Sequence, residues 1–495
     1  MDNVSPPKSN PVDIDEIKNS LPGGKKTGMV PTVIIQSAMP GPNEETQGKI
    51  KFLERIIKTE LLFNVLLVLL LAVTVYVSLV LRIDILKFFN KKVAPIVGQS
   101  NNVVGSLNSS FRVMAAEPAF LSPVYINRQG VDLEKTFQDS SSSARLTAYN
   151  RLKNEVMGFL PYWVIPKLDQ IDISTVTSIS YFGLEVNGKG DVIQYDDSGK
   201  PIEAWTYLQK DKRLANFINK AKQSKLKIYL TLKCFNQDNI VSLVTSEKTR
   251  ENFIKNAIFL MNSKALSGLN IDFEYIGTPD EKVKNGFSAL IIDLYKAMKK
   301  QYPNSVLTID TFVDAASANR IHDIPVLAQN SDGLVIMGYD FHTPNSSTAG
   351  PVAPFEGSSL SIKGLMASYL DKAPAEKLIL AVPYYGYDWP VKQGSSAFEV
   401  TGVKQEVNIL PYGEIASATK NTNISWDETA QVPWYSYQDS ITKQSRVVYF
   451  ENVRSLGIKY DFVTQKKLQG IAIWALGFDG KRGELNQIIA DKFAK

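Results

Sequence analysis

Residues 267–275 read Ser-Gly-Leu-Asn-Ile-Asp-Phe-Glu-Tyr, and this stretch is the starting point for predicting the fold. Successive side chains of a β-strand point to opposite faces, so Asn270, Asp272 and Glu274 share one face and the apolar residues between them share the other. An apolar face suits packing beneath helices, whereas a polar face that ends in carboxyl groups suits the mouth of a barrel. The stretch therefore predicts an inward-facing acidic strand of an α/β protein.

Seven further segments share the short, apolar, β-branched composition of 268–275. They are 156–164, 176–186, 227–233, 305–312, 333–341, 378–386 and 470–477. Amphipathic stretches with helical periodicity, such as residues 213–225, separate several of them. Eight strands that alternate with helices predict a (β/α)8 TIM barrel. More than eighty residues lie between the last two segments and predict a small α+β insertion between strands 7 and 8.

The chain before the barrel divides into three regions. Residues 1–60 are polar and rich in Pro and Gly, which predicts a disordered tail. Residues 61–82 carry no charge up to Leu81, and at about 1.5 Å per residue such a run spans a bilayer core of roughly 30 Å as one transmembrane helix. Residues 83–150 are interpreted as a juxtamembrane segment and linker, and residues 151–495 as the barrel.

Composition argues against several kinds of chemistry. The 55 basic and 50 acidic residues nearly cancel, which gives no reason to expect a nucleic-acid partner. A single cysteine, Cys234, provides neither a disulfide framework nor a Cys-rich metal site, and two histidines are too few for a multi-His site. No phosphate-binding glycine motif is found. We therefore predict no cofactor and no metal, while the sequence does not determine the oligomeric state.

The paired acids of the predicted fourth strand suggest acid–base catalysis. Two neighbouring carboxyl groups raise each other's proton affinity, so that one of them stays protonated near neutral pH. A protonated Glu274 at the end of the strand can act as a general acid. From spacing alone, a pair of solvated or salt-bridged acids at a barrel rim is an equally good interpretation.

The stretch 267–274 resembles the fourth-strand signature Asp-Gly-x-Asp-x-Asp-x-Glu of the family 18 glycoside hydrolases, the chitinase-like superfamily. Motifs on other predicted strands resemble the family in the same order: GFLPYW (158–163), SYFG (180–183), MGYD (337–340), PYYGYDW (383–389) and IAIWALG (471–477). The segments VAPF (352–355) and YFENVRSLGIKYDF (449–462) are most similar to the bacterial branch that contains spore-cortex-lytic N-acetylglucosaminidases.

The resemblance implies roles for individual residues. Glu274 would be the catalytic acid and base, and Asp272 would orient the 2-acetamido group of the substrate and stabilise the positive charge that develops on it. Tyr339 would hydrogen-bond the acetamido oxygen, and Trp474 would form an apolar floor under the sugar. The substrate's own acetamide would attack C1, giving retention of configuration through an oxazolinium intermediate.

Further substrate contacts are expected from Asp340, Tyr162, Trp163 and Tyr385, although aromatic residues at strand ends are often part of the core. Two residues depart from the signature, because Ser267 and Asn270 replace aspartates. We expect Asn270 to bind substrate and to hydrogen-bond Asp272. An amide cannot share the proton of Asp272, which would shift the pH profile.

The resulting hypothesis is a membrane-anchored glycosidase that cleaves β-1,4 bonds of a polysaccharide containing N-acetylglucosamine, with peptidoglycan favoured and chitin next. The alternative is a chitinase-like lectin that binds glycan without cleaving it. Basic residues flank both ends of segment 61–82, so charge does not decide its orientation. We expect a single-pass protein of the cell membrane with an extracytoplasmic barrel, because such a substrate lies outside the cell.

Overall fold

A computed structural model describes residues 152–358, 360–402, 406–420 and 422–494. The predicted tail (1–60), transmembrane helix (61–82) and linker (83–150) lie outside these residues. Within the described ranges, no helix combines the length and the apolar character that crossing a bilayer requires.

The described residues contain thirteen strands. In chain order they are β1 (Glu155–Pro161), β2 (Ser178–Glu185), β3 (Lys227–Cys234), β4 (Gly268–Phe273), β5 (Val306–Phe312), β6 (Gly333–Met337), β7 (Leu378–Pro383), β8 (Tyr385–Val391), β9 (Asn408–Pro411), β10 (Ser425–Asp427), β11 (Val432–Gln438), β12 (Ser445–Tyr449) and β13 (Gly470–Trp474). Strands β1 to β7 and β13 form a closed barrel of parallel neighbours in chain order, with β13 between β7 and β1. The predicted eight-stranded barrel is confirmed.

Ten α-helices accompany these strands in the described part of the chain. They are α1 (Glu203–Lys210), α2 (Lys212–Gln223), α3 (Gln237–Val244), α4 (Glu247–Ser263), α5 (Glu281–Gln301), α6 (Ile324–Gln329), α7 (Ile362–Leu370), α8 (Tyr412–Ala418), α9 (Val453–Gln465) and α10 (Glu484–Phe493). Short polar side chains accept backbone N–H groups at the start of several helices and so fix where those helices begin. These capping residues are Asp211, Asn236, Asp280, Asp323, Ser361 and Asn452.

The barrel interior carries a layer of polar side chains below its mouth. The strand register places Asn270 of β4 between Thr231 of β3 and Thr308 of β5. The hydroxyl groups of Ser180 and Thr231 are 2.7 Å apart, and the Thr308 hydroxyl donates to Asn270 Oδ1 over 2.7 Å. These polar side chains can be buried because each has a hydrogen-bonding neighbour. Their contacts join the four successive strands β2, β3, β4 and β5.

The insertion between β7 and β13 is built around a five-stranded antiparallel sheet in the order β10-β11-β12-β8-β9, with helix α8 beside it. The predicted seventh segment, 378–386, is divided in the structure. Strand β7 ends at Pro383, and Tyr385 already begins β8 of the inserted sheet. The chain therefore passes from the barrel into the insertion within two residues.

A buried ion pair lies where the insertion returns to the barrel. Lys459 Nζ of α9 is 2.8 Å from Glu451 Oε2, and both side chains are almost completely inaccessible to solvent. Burial raises the pKa of Glu451 and lowers the pKa of Lys459, while the opposite charge of each partner acts against both shifts. The pair is stable only as a pair, because either charge alone would be buried without compensation.

We expect Lys459→Met to destabilise the fold by about 3–5 kcal/mol, since it leaves the Glu451 carboxylate buried and unpaired. Urea unfolding followed by tryptophan fluorescence measures this. Lys392→Met is the matched control: its pair with Glu399 is 3.4 Å long and exposed, and its loss should change the unfolding free energy by less than about 1 kcal/mol. Equal effects of the two substitutions would contradict the prediction.

Candidate active site

The predicted acid pair lies at the C-terminal mouth of the barrel. Asp272 is the penultimate residue of β4 and Glu274 follows the strand directly; each is 4% exposed. The N–H of Glu274 donates to the carbonyl of Cys234 over 3.0 Å, which continues the ladder between β3 and β4 by one residue. The alternation of the strand is thereby extended, and Glu274 faces the same interior as Asp272.

Glu274 is in an environment that favours its protonated form. Burial raises its pKa well above the usual value, the carboxyl groups of Asp272, Asp310 and Asp340 raise it further, and the ammonium group of Lys233 acts in the opposite direction. A glutamic acid that keeps its proton at neutral pH can donate it to a leaving group.

Asp272 is also buried, but a cation lies close to it. Burial raises the pKa of Asp272, and the positive charge of Lys233 acts in the opposite direction. The resulting pKa is about 7. The register of β3 and β4 pairs Lys233 with Asp272 directly. Lys233 is 3% exposed; its Nζ lies 3.8 Å from Glu185 Oε2 and 4.9 Å from the centre of the Phe235 ring.

Lys233 was not predicted to be a residue of the site. The signal was present, because Thr231 and Lys233 are two residues apart in a strand that is mostly apolar after Lys227, and a lysine at an inward position of a barrel strand is costly unless charges face it. The place of Lys233 in the site depends on the pairing of β3 with β4, which cannot be read from the sequence of β3 alone.

Asp310 is a second residue that the sequence analysis missed. It lies on β5, is 4% exposed, and accepts a 2.8 Å hydrogen bond on Oδ2 from Asn270 Nδ2. Burial raises its pKa well above the usual value, Asp272 raises it further, and the bond from Asn270 acts in the opposite direction. A lone acid in the apolar run Val-Leu-Thr-Ile-Asp-Thr-Phe (306–312) was the available signal.

The predicted hydrogen bond between Asn270 and Asp272 is wrong. Asn270 Nδ2 donates to Asp310 and, over 3.3 Å, to Thr231, while Oδ1 accepts from Thr308. The side chain is completely buried, and its predicted contact with substrate stays a prediction. Its observed contacts include the hydrogen bond to Asp310.

Tyr339 and Asp340 follow β6 at the same mouth. Burial raises the pKa of Tyr339 well above its usual value, as do the surrounding carboxyl groups, so its phenol stays neutral and can donate a hydrogen bond. Asp340 adopts a left-handed backbone conformation with φ 58°, which aspartate tolerates better than most residues. It accepts hydrogen bonds from the hydroxyl groups of Tyr385 and, over 3.0 Å, Tyr387.

The hydrogen bonds from these hydroxyl groups favour the ionised form of Asp340. Burial raises the pKa of Asp340 to about 6, and the bonds from Tyr385 and Tyr387 hold it below the value that burial alone would give. Both tyrosines belong to β8, so the insertion contributes directly to the mouth. The predicted contact of Tyr385 with substrate stays a prediction, and its observed contact is with Asp340.

An aromatic wall closes the other side of the mouth. The partly exposed Trp474 packs edge-on against Phe182, with ring centres 4.7 Å apart, and lies 6.3 Å from Trp163. The buried Nε1 of Trp163 has no hydrogen-bond partner among the described residues. Partly exposed tryptophans of this kind provide an apolar surface on which a sugar ring can pack.

Tyr162 packs edge-on against Trp163 of this wall, with ring centres 5.1 Å apart. Strand β1 ends at Pro161, and residues 162–170 form a 3-10 helix. The Tyr162 ring is buried against Gly183 and close to Ala204 of α1, where a Cβ added at Gly183 would lie 2.6 Å from it. The predicted contact of Tyr162 with substrate stays a prediction.

The described residues include no cluster of three or more His, Cys, Asp and Glu side chains arranged to hold a metal ion. The carboxyl groups of the mouth instead meet a lysine, an amide and several hydroxyl groups. This arrangement can donate a proton from one acid while a second, ionised acid faces a developing positive charge.

Comparison with known proteins agrees with this geometry. A family model described as glycosyl hydrolases family 18 matches residues 155–479. The chain is 28% identical over 352 residues to YdhD of Bacillus subtilis (strain 168), named as a candidate sporulation-specific glycosylase; the match covers 66% of this chain and 73% of YdhD.

Two solved structures share the fold. A family 18 chitinase from Cycas revoluta in complex with (GlcNAc)3 superimposes with a TM-score of 0.59 at 20% identity, covering 68% of this chain and 99% of that one. The spore cortex-lytic enzyme SleL of Bacillus megaterium QM B1551 gives 0.53 at 18% identity, covering 70% and 75%. The family match spans the whole barrel with its acidic mouth, and the chain belongs to the glycosyl hydrolases of family 18.

Proposed function

We propose that this glycosidase cleaves β-1,4 bonds after N-acetylglucosamine by substrate-assisted, retaining hydrolysis. The observation that carries the proposal is the burial of Glu274 next to Asp272, which keeps the glutamic acid protonated at the mouth. Glu274 gives its proton to the glycosidic oxygen while the acetamido oxygen of the same sugar attacks C1. The leaving group departs as an alcohol, and an oxazolinium ion remains.

The remaining groups act on the charge and position of that intermediate. Asp272 in its ionised form faces the positive charge on the acetamido nitrogen, and Tyr339 hydrogen-bonds the acetamido oxygen. Trp474 lies under the ring. Glu274, now a carboxylate, takes a proton from water, whose oxygen attacks C1 and opens the oxazolinium ring with overall retention of configuration.

Peptidoglycan is the substrate that we favour, and chitin is the next candidate. The names of YdhD and SleL connect those similar proteins with sporulation and spore cortex, whereas the Cycas structure holds a chitin-type oligosaccharide. Both polymers contain the N-acetyl group that the mechanism needs. They differ in charge, because the stem peptides of peptidoglycan carry free carboxylates and chitin is neutral.

A groove lined by basic residues favours peptidoglycan, the charged polymer, as the substrate. This groove of about 810 Å³ is lined by Lys420, Arg454 and Arg482 together with polar and apolar side chains, and Arg482 pairs with Glu484. The N–H of Tyr412 in its wall donates to the carbonyl of Tyr384, the residue that follows β7, over 2.8 Å. Arginine and lysine in such a groove attract carboxylates.

The proposal extends to the region before residue 152. We propose that segment 61–82 anchors the protein in the cell membrane, with residues 1–60 as a tail on one side and residues 83–150 linking the anchor to an extracytoplasmic barrel. The uncharged run up to Leu81 supports this arrangement.

The topology can be tested by adding protease to intact cells that express the full chain. We expect the barrel domain to be cleaved from the cells and the tail 1–60 to be protected, since the bilayer shields whatever lies inside. Permeabilised cells serve as the control in which both parts become accessible. A barrel that is protected in intact cells would contradict both the topology and a wall substrate.

Glu274→Gln should lower turnover of N-acetylated glycan by about 10²–10⁴-fold, because an amide cannot donate the proton. Product release from peptidoglycan and from chitin fragments measures this, and de-N-acetylated fragments should not be cleaved by the unaltered enzyme. Glu356→Gln, at a partly exposed glutamate that pairs with Lys363, is the control and should be fully active. Binding of glycan without cleavage by the unaltered protein would instead support the lectin alternative.

The double substitution Lys420→Gln and Arg454→Gln should raise KM for peptidoglycan fragments roughly fivefold or more, at unchanged kcat, because two charge contacts of up to about 1 kcal/mol each are lost. KM for neutral chitin fragments should stay constant. Lys296→Gln with Lys300→Gln makes the same charge change on exposed positions of α5 and is the control. Equal effects on both polymers, or none, would contradict a role of the groove in binding carboxylates.

A further inference from the structure

The strand register brings Asp272 and Asp310 together. The pairing of β4 with β5 runs up to Ile271 and Ile309, so the next residue of each strand is an inward-facing aspartate. Both are 4% exposed. The mouth therefore holds two neighbouring acids on adjacent strands, although the family signature expected the second acid at position 270, where this chain has asparagine.

Hydrogen bonds fix which oxygen of Asp310 is engaged. The Thr308 hydroxyl donates to Asn270 Oδ1 over 2.7 Å, which orients the amide so that Nδ2 points away from Thr308. Asn270 Nδ2 then donates to Asp310 Oδ2 over 2.8 Å. Asparagine at position 270 thus acts as a donor that holds Asp310 in place.

One carboxyl oxygen of each aspartate has no hydrogen-bond donor among the described residues. These oxygens are Asp310 Oδ1 and Asp272 Oδ1, and both are buried. Two adjacent buried carboxyl groups cannot both ionise without a large cost, whereas one proton held between them satisfies both oxygens. Aspartate pairs that share one proton are well known in enzymes.

We propose that Asp310 supplies, from the neighbouring strand, the carboxyl group that shares a proton with Asp272. Asp310 is thereby a positioning residue, and it takes over the function that the signature assigns to the acid missing at position 270. The inference rests on the hydrolysis proposed above. While positive charge develops on the acetamido nitrogen, the shared proton stays on Asp310, so Asp272 is ionised at that moment and no proton is gained or lost by the pair.

Several other groups face the pair and contribute to its titration. They are Glu274 beyond β4, Lys233 from β3, and Tyr339 and Asp340 from the end of β6. His322 is buried against the rings of Phe287 and Phe312, and burial lowers its pKa to about 3, so it stays neutral. Lys233 is the cation of this set, which suits a pair with one negative charge.

The test is Asp310→Asn, compared with the exchange variant Asn270→Asp with Asp310→Asn. Asp310→Asn should lower kcat by roughly tenfold or more. The acid limb of the kcat profile, which reflects ionisation of Asp272 near pH 7 in the unaltered enzyme, should move to higher pH, because the proton held by Asp310 no longer stabilises the ionised form of Asp272. The exchange variant returns a carboxyl group to the pair and should recover both kcat and the limb.

Asp332→Asn, at the opposite end of the barrel near Leu307, is the control and should alter neither quantity. An unchanged kcat and acid limb in Asp310→Asn, or a failure of the exchange variant to recover them while it is folded, would overturn the proposal.

An infrared titration of the full-length protein separates this proposal from the proposed function. The carboxylic-acid C=O band at neutral pH should lose one protonated group in Asp310→Asn, and Glu274→Gln should lose a different one. If the unaltered protein shows the shared proton but cleaves no glycan, the proposed function fails while the acid pair stands. If Asp310→Asn leaves the band unchanged, the acid pair is refuted whatever the activity.

Discussion

The central physical constraint of this protein is the burial of four carboxyl groups at one end of a closed barrel. Asp272, Glu274, Asp310 and Asp340 are surrounded by protein, and burial raises the pKa of each of them. Four negative charges at such a place would cost far more free energy than a domain has to spare. The mouth is therefore stable only when it holds protons, which is the state that acid catalysis requires.

Neighbouring groups lower the free-energy cost of burying these carboxyl groups. Asn270 and the hydroxyl groups beside it form a hydrogen-bonded layer beneath the acids, and Lys233 contributes a positive charge from β3. The insertion belongs to the same arrangement, because Tyr385 and Tyr387 of β8 donate hydrogen bonds to Asp340. The inserted sheet is in this sense part of the active site, and the buried pair of Glu451 and Lys459 lies where it rejoins the barrel.

The eight barrel strands and the position of the Asp272–Glu274 pair could be predicted because both depend on the alternation of residues within one strand. Asp310 and Lys233 were missed because their meaning depends on which strand lies next to which, and this pairing is not local in sequence. The end of β1 was also misjudged, since the strand stops at Pro161 and residues 162–170 form a 3-10 helix. The end of β7 was misjudged for a similar reason, as barrel and insertion strands follow each other almost without a break.

Whether Glu274 is protonated at neutral pH can be measured directly. In protein labelled with 13C at glutamate side-chain carboxyl groups, the Glu274 signal can be assigned by its absence from Glu274→Gln and followed through a pH titration. We expect this signal to keep the chemical shift of a protonated acid at pH 7. Titration near the ordinary glutamate pKa of about 4.3 would contradict it.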